Sequence, residues 1–268
     1  MELSDFVKQF ETIYPRSLAE SWDNTGLLVS CSSRITNVLV CIDITPSVLS
    51  EAISQHVELI ISYHPTLFKS FKKVTPSTRS QDLLIQLIQN HISVYSPHSA
   101  LDSVNGGIND WLSSSLQSLP SFPLKVPPHT LPITPGKFQE ISIGAGRLLT
   151  FDDKISFDDL LAVSKKFLNA PLRYAKPSHF DKVKTVAICC GSGGSMFENG
   201  CADVVFTGEM GHHEVLEHLN FGTAVILSEH TVTERGYLDV WVPRLSELFP
   251  ILHIEKSKTD MSPLQYTI

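Results

Sequence analysis

The sequence predicts an α/β protein of two similar lobes, packed face to face with a cleft between them. Three observations carry this reading. Apolar runs of strand length alternate with amphipathic helical stretches along the chain, the pattern of parallel sheets covered by helices. The alternation occurs twice, with a proline-rich stretch between the rounds. In each round one apolar run ends in Ser-x-His-[Ser/Thr] with an acid four residues after the His. These are Ser96-Pro97-His98-Ser99 leading to Asp102, and Ser228-Glu229-His230-Thr231 leading to Glu234.

The first lobe is expected over residues 1–116. Ser4 is placed to cap a helix from Asp5 to Tyr14, which Pro15 ends. Asp23-Asn24-Thr25-Gly26 reads as a turn into a strand over Leu27–Val29. Asn37–Asp43 is a second strand, apolar enough for burial on both faces. Thr45-Pro46 opens a helix to about His56, with proline at the tolerated first turn. Val57–Tyr63 is a strand ending at His64-Pro65. A helix over Ser80–Asn90 leads to the strand Ile92–Tyr95 and then to His98. A loop over Asp102–Asn109 and a short helix to Leu116 close the lobe.

Residues 117–136 hold six prolines and are expected to link the lobes without regular structure. The second lobe, 137–268, restarts with a strand over Glu140–Phe151 and a helix over Phe157–Leu168. Strands Thr185–Cys190, Ala202–Phe206 and Ala224–Leu227 follow. A helix over His213–Leu219 lies between the last two, and one long helix over Val232–Leu248 comes after them. Ile251–His253 ends the pattern as a strand. The two lobes therefore align element by element as a degenerate internal repeat of two copies.

Composition narrows the class. The chain is 268 residues long, 42% hydrophobic and 18% charged, which suits a folded protein with a sizeable core. Its net charge of −7 and its lack of a long basic run argue against direct nucleic-acid binding. The five cysteines are odd in number and form no CxxC, so they read as reduced packing residues rather than a disulfide framework. Met1–Asp5 has neither the basic start of a secretory signal nor the arginines of a transit peptide, and no apolar run reaches membrane-spanning length. A cytoplasmic location is expected, with a nuclear one also compatible.

The chemistry gathers at strand ends. Ligands of open α/β sheets bind beyond the carboxyl ends of the strands, where His64, His98, Asp102, His230 and Glu234 all fall. One His-x-x-x-Glu is an ordinary surface arrangement. Two such pairs together with His64 point to a metal, because imidazole with carboxylate is the donor mix of zinc, iron and manganese sites. Asp102 or Glu234 could bridge two ions. Gly191-Ser192-Gly193-Gly194 offers backbone N–H groups for phosphate, but without a following lysine it reads first as a tight turn. His212-His213 reads as a solvated helix start, Trp22 and Trp111 as core or interface. His91, His129, His179, His218 and His253 have no polar partner in register and are taken as structural. No cysteine sits in a polar setting and there is no Gly-x-Ser-x-Gly elbow, so neither thiol nor serine nucleophile is supported.

Trp22-Asp23-Asn24-Thr25-Gly26, Ser62-Tyr63-His64-Pro65, Ser96 to Asp102, Thr207-Gly208-Glu209 and His230 to Gly236 stand in the order and spacing of one family. The chain resembles, over essentially its whole length, the Nif-three-like proteins (NGG-one-interacting factor three), whose bacterial members carry the name GTP cyclohydrolase I type 2. The resemblance implies a metal site in the cleft, with His64, Asp102, His230 and Glu234 as ligands, and a homohexamer built as a trimer of dimers. His98 matches a family histidine beside the site, with a supporting or an acid–base role, and either His98 or Glu209 is the candidate to move the proton. Many bacterial members have two histidines where this chain has Tyr63-His64, so one or two divalent ions per chain are expected. Two functions follow from the resemblance. One is a metal-dependent hydrolase acting on an unidentified substrate, with a purine nucleotide such as GTP as the family's suggestion. The other is a non-catalytic metal-binding regulator or scaffold that contacts a transcriptional coactivator subunit.

Overall fold

Aliphatic and β-branched runs form strands here because almost every residue in them is buried, which a central parallel sheet demands. The computed structural model describes residues 1–118, 129–135 and 143–265. In chain order the first elements are α1 (Leu3–Ile13), β1 (Gly26–Val29), β2 (Asn37–Cys41), α2 (Pro46–Ser54), β3 (Leu59–Ser62), α3 (Arg79–Gln89) and β4 (Ser93–Ser96). Next come α4 (Ser99–Ser103), α5 (Ile108–Ser114), β5 (His129–Leu131), β6 (Thr134–Pro135), β7 (Gly144–Ala145), β8 (Arg147–Ser156), α6 (Phe157–Leu168) and β9 (Arg173–Ala175). The remainder is β10 (Lys182–Ser192), β11 (Val204–Glu209), α7 (His212–Asn220), β12 (Ala224–Leu227), α8 (Val232–Arg235), α9 (Leu238–Leu248) and β13 (His253–Lys256). The chain divides into two units, Met1–Leu101 with Leu238–Ile268, and Asp102–Tyr237.

The first unit carries a five-stranded sheet in the order β1-β4-β3-β2-β13. β2, β3, β4 and β13 run parallel, and β1 is an antiparallel edge. Side chains alternate across the sheet. Leu39, Cys41, Ile60 and Val94 meet Val48, Leu49 and Ala52 of α2 and Leu83, Leu84 and Leu87 of α3. On α1, Phe10 packs its ring on Tyr95 of β4 at 4.8 Å, while Phe6 meets Phe249 at 4.8 Å. The buried Trp241 of α9 donates its indole N–H to the Tyr14 hydroxyl at 3.0 Å. Each such aromatic withdrawn from water contributes about 1.5–3 kcal/mol.

The second unit carries a six-stranded sheet in the order β5-β8-β10-β11-β12-β9. Its centre, β10-β11-β12, is parallel, and β8, β5 and β9 join antiparallel. Each unit therefore has a run of three neighbouring parallel strands, β2-β3-β4 and β10-β11-β12, which is the internal repeat. Arg147, at the start of β8, ties this unit together. It is 2% exposed and spends its guanidinium on Asp110 (2.5 and 2.9 Å), the Gly144 and Gly146 carbonyls (2.7 Å each) and the Val104 carbonyl (3.1 Å).

Several elements differ from the sequence reading. Ser4 does not cap α1; Glu2 occupies the cap position without a side-chain hydrogen bond. The long helix expected over Val232–Leu248 breaks at Gly236–Tyr237. A Cβ on Gly236 would lie 2.4 Å from the Trp111 ring, and the Tyr237 hydroxyl donates to the Gly106 carbonyl at 2.9 Å, so packing sets the break. The stretch read as unstructured linker forms β5 as an edge strand on β8 and β6 against β7. Prolines are tolerated at edges, where the missing N–H faces no partner strand. Residues 119–128 and 136–142, including the expected strand start at Glu140, lie outside the described residues. β8 runs on to Ser156 because its register partner β10 begins at Lys182, paired with Ser156.

Replacing Arg147 with Met leaves the Asp110 carboxylate and three carbonyls without their shared donor. The expected cost is about 2–4 kcal/mol, read from the urea midpoint. A loss below about 0.5 kcal/mol, the range of an ordinary surface change, would show that Arg147 is not the tie.

Candidate functional site

In the first unit the parallel pairing of β2 and β3 continues past their formal ends. Tyr63 N–H donates to the Cys41 carbonyl at 2.9 Å and His64 N–H to the Ile42 carbonyl at 3.0 Å. This registers His64 against Asp43, and the imidazole Nδ1 meets the Asp43 carboxylate at 2.8 Å. His98, beyond β4, does the same with Asp23 at 2.8 Å. A carboxylate only accepts, so each Nδ1 carries the proton and each Nε2 becomes the acceptor nitrogen. The His64 and His98 rings stand 5.5 Å apart edge to face, with Tyr63 at 5.0 and 5.4 Å from them.

Asp23 is the more confined of the two acids. Its side chain has no exposed surface, and it also accepts from Ser99 N–H at 3.1 Å and the Ser99 hydroxyl at 2.5 Å. Burial alone would raise its pKa, but the hydrogen bonds from His98 and Ser99 outweigh that and lower it. His98 is held at φ +32°, a conformation that non-glycine residues rarely adopt.

In the second unit Glu209 ends β11 and His230 follows β12. Here too Nδ1 meets a carboxylate, Glu209 at 2.9 Å. Nε2 of His230 lies 3.2 Å from the Glu234 carboxylate, and Glu234 is 1% exposed. Glu234 is buried while His230 keeps about a third of its surface, and a proton held between the two or a bound cation satisfies both acceptors. Gly191 makes the room: at φ +66°, a Cβ there would sit 2.6 Å from Glu234 Oε1 and 3.1 Å from His230 Nε2.

Hydroxyls and one amide hold this arrangement. Thr233 accepts from Gly191 N–H at 2.8 Å and donates to the His230 carbonyl at 2.7 Å. Thr207 accepts from Gly193 N–H at 2.9 Å and donates to the Gly191 carbonyl at 3.1 Å. The fully buried Asn109 donates to the Asp102 carbonyl at 3.0 Å and accepts from Cys190 N–H at 2.9 Å. Burial pushes the Cys189 thiol up, and the charges of Asp102 and Glu234 push it further. Both carboxylates thus act on the same strand end. Cys190 is raised well above the thiol range by burial, by Cys189 and by the same two acids, so neither thiol is a nucleophile.

The placement of the sequence candidates is therefore mixed. His64 and His98 are neighbours in the first unit, and Asp102, Glu209, His230 and Glu234 gather in the second. The Gly191–Gly194 segment is not a phosphate cradle, since Gly191 and Ser192 continue β10 and the N–H groups of Gly191 and Gly193 already have threonine partners. His212 and His213 are exposed at the start of α7, as read. Asp43 and Asn109 are not candidates by sequence, and Asp23 enters there as a turn residue within the Trp22–Gly26 motif. A carboxylate at the end of the strand preceding a histidine-ended strand is the signal that would have found Asp43.

Lowering the pH should test the Asp23 network. Its folded pKa lies below the ordinary value, so its contribution is complete above the unfolded aspartate range near about 4. It is lost as pH falls from there through the depressed folded pKa. Urea midpoints of the wild type should drop more steeply below about pH 4 than those of Asp23→Asn; parallel curves would remove Asp23 as the acid-sensitive group.

The Duf34/NIF3 (NGG1p interacting factor 3) family model matches residues 1–263. NGG1-interacting factor 3 of Saccharomyces cerevisiae is 38% identical over 256 residues, 88% of each chain. NIF3-like protein 1 of Drosophila melanogaster is 36% identical, over 98% of this chain and 88% of its own. Among solved structures, Staphylococcus aureus protein SA1388 superposes with a TM-score of 0.84 at 25% identity, covering 100% of this chain and 99% of its own. Reduced HcgD from Methanocaldococcus jannaschii gives 0.78 at 26% identity, covering 96% and 98%.

Proposed function

The chain belongs to the Duf34/NIF3 family, and on that premise we propose that it is a metal-binding hydrolase. His64, Asp102, His230 and Glu234 would hold one or two divalent ions, of zinc, iron or manganese. The observation that carries this is the buried Glu234 carboxylate facing His230 Nε2 at 3.2 Å, an acceptor pair that a cation satisfies. The donor set fits such an ion: imidazole nitrogens turned outward by carboxylates on Nδ1, together with carboxylates. A divalent ion bound there would supply Lewis acidity and lower the pKa of a bound water.

The chain's own residues supply the rest. Asp43 and Glu209 fix the rings of His64 and His230, so that each Nε2 is presented without a rotational search. His98, with Nδ1 held by Asp23, offers Nε2 to take or return a proton on a substrate atom. Glu209 acts by positioning His230 rather than by proton transfer. A purine nucleotide such as GTP is the substrate that the family suggests. We further propose a homohexamer, a trimer of dimers, in the cytoplasm. Among the described residues no helix is long and apolar enough to cross a membrane.

A second reading rests on the yeast relative's name, which records interaction with NGG1. On it the chain is a non-catalytic metal-binding regulator that contacts a transcriptional coactivator subunit, with a nuclear location. Partner capture that survives removal of the metal ligands, with no turnover by the metal-loaded protein, would favour it.

Elemental analysis of protein purified without chelator should give about one to two metal equivalents per chain, lost in the His230→Ala/Glu234→Ala double variant. No metal after reconstitution with zinc, iron or manganese would sink the proposal. Asp43→Asn and Glu209→Gln should each weaken metal affinity about 10- to 100-fold with an unchanged circular dichroism spectrum. Wild-type affinity in both would mean that those carboxylates do not orient ligands.

A further inference from the structure

We propose that Trp22 and Phe68, with Lys69, Lys72 and Lys73, form a subsite for a planar ring that carries a phosphate, by class a nucleoside phosphate. The subsite reads the ring's face and charge rather than the base's edge. The inference deepens the reading above, from which it takes His98 as part of the working site and a nucleotide as the class of substrate.

Trp22 is 63% exposed and Phe68 57% exposed. They are not loose surface residues. Their rings meet at 6.2 Å and 63°, and each stands edge to face on His98, at 6.0 and 6.3 Å. Both are pinned through a neighbour in sequence. Asp23, next to Trp22, is buried and takes the three hydrogen bonds from His98 and Ser99. Asn24 donates to the carbonyl of Leu67, the residue before Phe68, at 2.5 Å. Two large apolar rings held in place while left in water are preorganised for a ligand. Because the rings meet as a corner, no slot opens between them. A planar ligand stacks on the indole face with Phe68 at its edge.

Charge selects among planar ligands. The chain carries −7 overall, yet residues 65–81 hold Lys69, Lys72, Lys73 and Arg79 and no carboxylate. Those four cations are exposed. A cationic loop that starts at the aromatic corner favours an anionic group on the stacked ring. Stacking on an aromatic face is tolerant of base identity. Hence GMP and UMP should bind with similar affinity.

The test is calorimetric titration of the full chain with GMP, UMP, guanosine and inorganic phosphate, in metal-loaded and chelator-treated samples whose metal content is measured in parallel. Both nucleotides should bind more tightly than guanosine or phosphate alone. Trp22→Ala should weaken both about tenfold or more, while Trp22→Phe keeps most of the affinity. The triple change Lys69→Gln, Lys72→Gln and Lys73→Gln should weaken nucleotides, reduce their salt dependence and leave guanosine unchanged. If Trp22→Ala does not fold, Phe68→Ala replaces it. Metal-loaded protein that binds no nucleotide overturns this inference and leaves the metal reading standing; protein that binds nucleotide but never metal does the reverse. Trp22→Ala with wild-type affinity and an altered mass by light scattering would assign the corner to contact between copies and overturn the subsite. Affinity that climbs steeply with oligonucleotide length would overturn it in favour of a nucleic-acid strand.

Discussion

An imidazole presents one lone pair in a fixed direction only when its other nitrogen is committed. Among the described residues, three histidines meet that condition at the ends of parallel strands. His64 is held by Asp43, His98 by Asp23 and His230 by Glu209, at 2.8, 2.8 and 2.9 Å. Parallel pairing that runs past the strand ends brings acid and imidazole level, as the bonds from Tyr63 and His64 to Cys41 and Ile42 show. The buried central strands are therefore more than scaffold. Their register decides which carboxylate His64 and His230 meet, and so which nitrogen faces outward, while Asp23 reaches His98 from ahead of the antiparallel β1.

Space is the second constraint. Glu234 and His230 approach the end of β10 so closely that only glycine fits at position 191, and Gly208 is equally confined, with a would-be Cβ 2.6 Å from the Gly191 carbonyl. Thr207 and Thr233 use both the donor and the acceptor of their hydroxyls to stitch these strand ends together. A segment that looks in sequence like a phosphate loop thus has its N–H groups consumed internally. Its glycines serve a close approach of side chains instead.

What could be read from the sequence follows from how local the signal is. β12 and α6 lie where the apolar run Ala224–Leu227 and the amphipathic stretch Phe157–Leu168 put them, because burial on both faces or on one stripe leaves a periodic trace. Strand-end positions of His64, His98 and His230 came with it. The supports Asp43, Asp23 and Asn109 did not. Asp23 reaches His98 across 75 positions and Asn109 reaches Cys190 across 81, distances over which no spacing rule operates. β13 joins β2 from the far end of the chain, and nothing in Ile251–Lys256 announces its neighbour. The break at Gly236 is set by the Trp111 ring, a tertiary contact that overrides the helical pattern on either side.

The repeat itself separates position from role. Aligning β2-β3-β4 with β10-β11-β12 sets His64 against Glu209 and His98 against His230. Histidine therefore ends both aligned strands in the first unit, but only the second of the pair in the second unit. Glu209 occupies the histidine position and serves the next strand's His230 as its orienting acid, 21 residues on, the same separation that links Asp43 to His64. One strand–helix–strand device, acid at the first end and imidazole at the second, has been used one strand out of step. The first unit then offers two oriented imidazoles, and the second offers one with a buried carboxylate beside it. Two copies of one pattern can in this way diverge in chemistry while keeping the fold, because the sheet fixes where the strand ends lie and a single residue type at each end decides what it does there.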